Sequence, residues 1–96
     1  MKIRIGFGLG TRSKVSDPET LGGLAQGLER LGFDSLWFSE RVSGRGLDPI
    51  VAMSWIAART EKLKFGPSVM VLPGRNPVLV AKSIASLDRI SDGRVL

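Results

Sequence analysis

Three times along the 96-residue chain an Asp or Asn stands directly before a proline and opens a stretch of apolar residues at helical spacing: Asp17-Pro18, Asp48-Pro49 and Asn76-Pro77. The side chain of such a residue accepts hydrogen bonds from the free N–H groups of a first helical turn. Proline fits the next position because its lack of an N–H costs nothing there. Four apolar runs rich in β-branched or aromatic residues alternate with these stretches: IRIGFGL (3–9), DSLWFS (34–39), LKFGPSVMVL (63–72) and RVL (94–96). Bounded by Gly, Pro, Asp or Asn, they read as strands. The order is β-α-β-α-β-α-β with a repeat of roughly 30 residues, which predicts parallel strands joined by right-handed crossovers.

The first helix places Leu21, Leu24, Ala25, Leu28 and Leu31 on one face and closes at Gly32. The second spaces Ile50, Met53 and Ile56 for burial, with Val51 and Trp55 beside them. The third buries Val80 or Ala81, then Ile84, Leu87 and Ile90, and ends near Ser91-Asp92-Gly93. An unbroken series of right-handed crossovers puts all three helices on one face of the sheet. A doubly wound sheet and a (β/α)₈ barrel both use this repeat. Parallel sheets normally cover both faces, so the one-sided arrangement reads as an opened barrel.

GFGLG, residues 6–10, resembles a phosphate-binding glycine loop only loosely. The dinucleotide fingerprint G-x-G-x-x-G needs a third glycine where Thr11 stands, and a helix beginning inside the motif. Read as a strand, the alternation sends Ile3, Ile5, Phe7 and Leu9 toward the helices. Gly6 and Gly8 face the barrel interior, where they leave room for packing layers and for a ligand.

Composition narrows the chemistry. With 43% hydrophobic and 24% charged residues, the chain describes one globular unit or a piece of one. It has no cysteine and no histidine, which excludes disulfides, thiol nucleophiles, Ser-His-Asp triads and the usual zinc sites. No metal site is expected. The net charge of +5 comes from basic residues scattered along the chain, without tyrosine and without aromatic interleaving, so nucleic acid is not an expected partner. No signal peptide and no apolar run of membrane-spanning length is legible, and a cytoplasmic location is the default expectation.

The segments LERLGFDSLWFSER and KFGPSVMVLPGRNPVLVAKSIASLDRISDGRVL carry a more specific signal. Through the block P-x-R-N-P-x-x-x-A-K-x-x-A-x-L-D-R-x-S-x-G-R the chain resembles the bacterial luciferase-like superfamily, and within it the coenzyme F420-dependent oxidoreductase branch. The resemblance implies a (β/α)₈ barrel of which residues 1–96 supply the first three βα units and the start of strand four, with strands four to eight outside it. It also implies a flavin or deazaflavin in the barrel mouth and hydride transfer with a small organic substrate. Where many relatives carry an acidic residue and then histidine after the second strand, this chain reads Ser39-Glu40-Arg41. Arginine stays protonated near neutral pH and cannot serve as a base.

On that resemblance Ser39, Glu40, Arg41, Ser68 and Val69 are the expected cofactor-binding residues, and Glu40 the candidate catalytic one. Ser68-Val69 falls where relatives often hold a non-proline cis peptide behind the ring. The alternative for Glu40 is an ion pair with Arg41 or Arg45 that orders its loop. The loops at the strand ends also carry Arg12, Lys14, Arg45 and Arg75, a basic rim suited to an anionic cofactor or simply to solvent. Arg75-Asn76-Pro77 has a structural reading as the start of the third helix. Asp88-Arg89 and Asp92-Gly93-Arg94 are expected at the opposite, stability face.

F420 is the expected cofactor and FMN the alternative, the latter making the whole protein a luciferase-like monooxygenase. A third possibility is a non-catalytic half-barrel. Its open sheet face and unpaired fourth strand predict a homo-oligomer or a complementary chain. An isolated chain of this length is expected to be inactive.

Overall fold

A computed structural model describes residues 1–96. Three parallel strands, β1 (Gly6–Leu9), β2 (Ser35–Phe38) and β3 (Lys64–Pro67), lie in the order β1-β2-β3. They alternate with α1 (Pro18–Arg30), α2 (Pro49–Ala57) and α3 (Pro77–Ile90). Gly6 pairs with Ser35 and Ser35 with Lys64, so the three strands run in step. Val95 continues the series, bridging Phe65 in parallel where the fourth strand was expected.

All three helices begin as their Asx-Pro pairs dictate. Asp17 Oδ1 accepts from the Thr20 N–H at 2.8 Å. Asp48 Oδ1 accepts from Ile50 and Val51, and Asn76 Oδ1 from Val78 and Leu79. At the other end of α1, Gly32 takes φ +81° while its own N–H and that of Phe33 donate to Glu29 and Leu28. A glycine meets that left-handed turn without a Cβ clash.

Period-two alternation splits the sheet into two surfaces. Leu36, Phe38 and Phe65 point toward the helices and are buried against Leu21, Ala25, Leu28, Ala52, Met53, Ile56, Leu63 and Leu87. Each large side chain so buried stabilises the fold by about 1.5–3 kcal/mol. The opposite surface carries Gly6, Gly8, Ser35, Trp37 and Gly66. Trp37 lies across it, donating Nε1–H to Ser35 Oγ at 3.0 Å. A Cβ on Gly6 would stand 2.8 Å from Trp37 Nε1, and one on Gly66 would stand 2.9 Å from Trp37 Cζ3. Gly6 therefore makes room for Trp37. Only Gly8 of the pair opens onto free space.

Several burial expectations fail at the edges. Ile3 and Ile5 lie outside the strand and are 74% and 59% exposed, because β1 has no neighbour beyond it. Phe7 is held chiefly by an edge-to-face contact with Phe33, 6.4 Å between centroids. On α3 only Leu87 is buried, whereas Ala81 is exposed and Ile90 is 80% exposed. That helix packs against α2, the only helix beside it. The expected ten-residue third strand is four residues long, since the chain leaves the ladder after Pro67, which has no N–H to donate. No helix is long and apolar enough to cross a membrane.

Candidate functional site

At the C-terminal ends of the strands, the exits of β2 and β3 bind to each other. Ser39 Oγ donates to the Ser68 carbonyl at 2.6 Å, and the Glu40 N–H donates to the Val69 carbonyl at 3.0 Å. The Ser39 N–H reaches back to the Leu9 carbonyl of β1, and the Ser68 N–H to that of Phe38. The Ser68–Val69 peptide is cis. The structure thus brings together four of the five residues singled out for a cofactor: Ser39, Glu40, Ser68 and Val69.

Arg41, the fifth, is exposed and turns into the following loop, where its carbonyl accepts from the Gly44 N–H. Neither Arg41 nor Arg45 pairs with Glu40. The carboxylate's partner is Arg75, whose Nη2 donates to Glu40 Oε1 at 2.6 Å and to Asp48 Oδ2 at 2.5 Å. The anticipated local pair is replaced because residues 41–46 swing out to solvent while the loop after β3 brings Arg75 inward. Glu40 Oε2 accepts from the Val71 N–H at 2.7 Å, and the Glu40 side chain is only 8% exposed.

Electrostatics follow from this geometry. Hydrogen bonds from Arg75 to Asp48, then to Glu40, hold the guanidinium pKa above its usual value. Burial pulls the Asp48 carboxyl up, but the Arg75 hydrogen bond and the Val51 and Ile50 N–H groups outweigh it and leave the carboxyl below the usual range. Arg75, Glu40 and Asp48, with Arg41, Leu47, Val71 and neighbouring loop residues, line an open groove of about 460 Å³. Arg12, Lys14, Arg41 and Arg45 around the strand ends are exposed and make no ion pair. No three His, Cys, Asp or Glu side chains gather closely enough to hold a metal.

Two members of this cluster escaped the sequence reading in their full role. Asp48 was legible as a helix cap and Arg75 as a rim residue or helix lead-in, but not as each other's partners. Their available signal was charge. Glu40 and Asp48 are the acids bordering the second loop, and the third loop offers a single cation, Arg75.

The opposite end of the sheet is built around Glu29 and Arg94. Glu29 accepts from the N–H groups of Glu61, Lys62 and Leu63. Arg94 donates to the Ala57 and Leu63 carbonyls and to Thr60 Oγ1, and lies over the Phe65 ring. Asp88, from the same motif, receives the Val95 N–H. These contacts agree with a structural role for the motif that follows α3.

Residues 1–96 match the family model of luciferase-like monooxygenases. The chain is 39% identical over 77 residues to limonene 1,2-monooxygenase of Rhodococcus erythropolis, covering 76% of this chain and 20% of that protein. It is 31% identical over 86 residues to the F420-dependent glucose-6-phosphate dehydrogenase of Kineococcus radiotolerans, covering 82% and 26%. Among solved structures it superposes on the coenzyme F420-dependent tetrahydromethanopterin reductase of Methanopyrus kandleri with a TM-score of 0.81 at 26% identity, covering 100% of this chain and 26% of that one. It also superposes on the oxygenating constituent of 3,6-diketocamphane monooxygenase from Pseudomonas putida, in complex with FMN, with a TM-score of 0.84 at 25% identity, covering 99% and 28%. The chain therefore spans about a quarter of the length of proteins it resembles.

Proposed function

Because this chain belongs to the luciferase-like monooxygenase family, we propose that it forms the first three βα units and the start of strand four of a deazaflavin- or flavin-dependent barrel oxidoreductase. Relatives of both cofactor types are represented among its neighbours. Within that frame F420 is the proposed cofactor and a small organic molecule the proposed substrate, with the remaining strands needed for turnover.

The observation that carries this reading is the joined exit of β2 and β3, where Ser39 and Glu40 take up both the Ser68 and Val69 carbonyls. The residues fit a flat, anionic cofactor. A Cβ on Gly8, on the barrel-facing surface, would meet nothing within 4 Å, so a ring can lie against backbone there. The unpaired Arg12, Lys14, Arg41 and Arg45 suit a phosphate or carboxylate tail. When bound, F420 would supply hydride-transfer chemistry, which the protein's own side chains lack.

The chain's residues hold and orient. Ser39 and Glu40 fix the Ser68–Val69 wall, and Val69, 71% exposed, offers an apolar contact. Glu40 has lone pairs beyond those used by Val71 and Arg75, and these are the acceptors assigned to a ring N–H. Arg41 cannot serve as a base and acts as a charge partner only. FMN is the second reading, favoured by the likeness to a structure containing FMN.

Fluorescence and absorbance titrations of the purified protein with F420 and, separately, FMN test the proposal. Saturable binding of F420 is the expected result, and saturable binding of FMN alone selects the second reading. Binding of neither overturns both.

A further inference from the structure

We infer that Arg75 is a positioning residue for the strand-end site, aiming the Glu40 carboxylate so that it fixes segment 68–71. The inference rests on reading that segment as the cofactor wall. Arg75 is the single cation of the loop between β3 and α3, and its side chain joins Glu40, Asp48 and Val71. Nη2 donates to Glu40 Oε1 and Asp48 Oδ2, and Nε donates to the Val71 carbonyl at 3.3 Å.

Val71 is consequently gripped on both sides, its N–H by Glu40 and its carbonyl by Arg75. Asp48 gives Arg75 a fixed post. Its other oxygen is occupied by the Ile50 and Val51 N–H groups, and the adjoining Pro49 is buried. Without Arg75, Glu40 keeps one hydrogen bond and is free to swing from Val71 into the groove. Val71 lies two residues beyond Val69, whose carbonyl the Glu40 N–H holds, so loosening it loosens that wall. All hydrogen bonds of the Arg75 side chain are to protein oxygens, and it acts through Glu40. Lysine retains the charge but loses the forked Nε and Nη2 donors, so it replaces only part of this function.

The test compares Arg75→Gln, Arg75→Lys, Glu40→Gln and Arg75→Gln/Glu40→Gln, with Glu29→Gln at the opposite end of the sheet as control. Residue-resolved amide hydrogen exchange and titration with F420 and FMN are both read. Arg75→Gln is expected to speed exchange at Val71 while Phe65 and Leu96 keep their protection. Cofactor affinity should fall by about tenfold, as for loss of a charge-assisted hydrogen bond. Arg75→Lys should lie between this variant and the parent, and the double variant should bind no more weakly than the weaker single one. Glu29→Gln should lower the melting temperature and leave affinity within about twofold.

Unchanged Val71 exchange in Arg75→Gln overturns the inference, as does faster exchange with unchanged affinity. If Arg75→Gln does not fold, Arg75→Lys decides by the same two readings. If neither cofactor binds the parent protein, the proposed function falls, and Val71 exchange alone decides the inference.

Discussion

The two ends of the sheet are each tied by a carboxylate that accepts backbone N–H groups from chain entering or leaving β3, yet they are built differently. At the lower end, Glu29 receives three consecutive N–H groups, and Arg94 separately satisfies the Ala57 carbonyl at the close of α2 and the Leu63 carbonyl just before β3. At the upper end, Glu40 receives one N–H and shares a guanidinium with Asp48 beside an open groove. The lower device saturates its carboxylate with backbone. The upper one leaves lone pairs, space and unpaired cations nearby. That difference separates a fastening from a candidate site, and it agrees with the rule that barrel chemistry gathers at the C-terminal strand ends.

The comparison is most exposed to failure at Arg94. Replacing it with Met keeps the stem but leaves the Ala57 and Leu63 carbonyls without their donor, and is expected to cost about 3 kcal/mol. Denaturant unfolding should show that loss, while cofactor affinity per folded molecule stays unchanged. A binding defect without a stability defect would reverse the assignment of the two ends.

Glu29→Gln comes next, at about 2 kcal/mol for the weakened bonds to a charged acceptor. Burial raises the Glu29 pKa, but the N–H groups of Lys62, Leu63 and Glu61, with help from Arg94, outweigh it and hold it below the usual carboxylate range. A carboxyl with a depressed folded pKa contributes stability that is present above the unfolded value and lost as pH falls through the folded one. Unfolding followed from pH 7 downward should therefore show stability falling below about pH 4.5, with a shallower fall in Glu29→Gln.

Asp48→Ala tests the upper end. Loss of the cap from α2 should cost about 1 kcal/mol, and Arg75 would keep only Glu40 and the Val71 carbonyl. In the parent protein the Asp48 carboxyl is also held below the usual range, so its share of stability is present at neutral pH and lost in acid. Calorimetric melting at pH 7 and pH 3 checks both points.

The smallest expected change in stability, within about 0.5 kcal/mol, belongs to Gly8→Ala. Its Cβ would enter open space, so melting should hardly move while cofactor binding weakens. The same change at Gly66 places a Cβ 2.8 Å from the Leu96 carbonyl oxygen and should destabilise the protein outright. Equal melting temperatures for the two variants would show that the barrel-facing surface is not divided as described.

Most of the framework is legible in the sequence. The Asx-Pro pairs located three helix starts, and the apolar runs located the strands, because capping and side-chain alternation are local. Exposure of Ile3, Ile5 and Ile90 was not legible, since periodicity reports which face a residue occupies and not whether anything covers that face. Gly6 looked like space for a ligand, but that space belongs to Trp37, a residue on the neighbouring strand.

What the sequence determined by itself is the βα repeat and the family motif, and the resemblance this motif carries supplied the expected short list of Ser39, Glu40, Arg41, Ser68 and Val69. Only the tertiary structure decided how those residues are held. Arg75 meets Asp48 and Glu40 across 27 and 35 residues of chain, distances at which no local preference acts. Such contacts arise when parallel strands bring successive loops to one edge of the sheet, where opposite charges withdrawn from water pair with whichever partner the fold delivers.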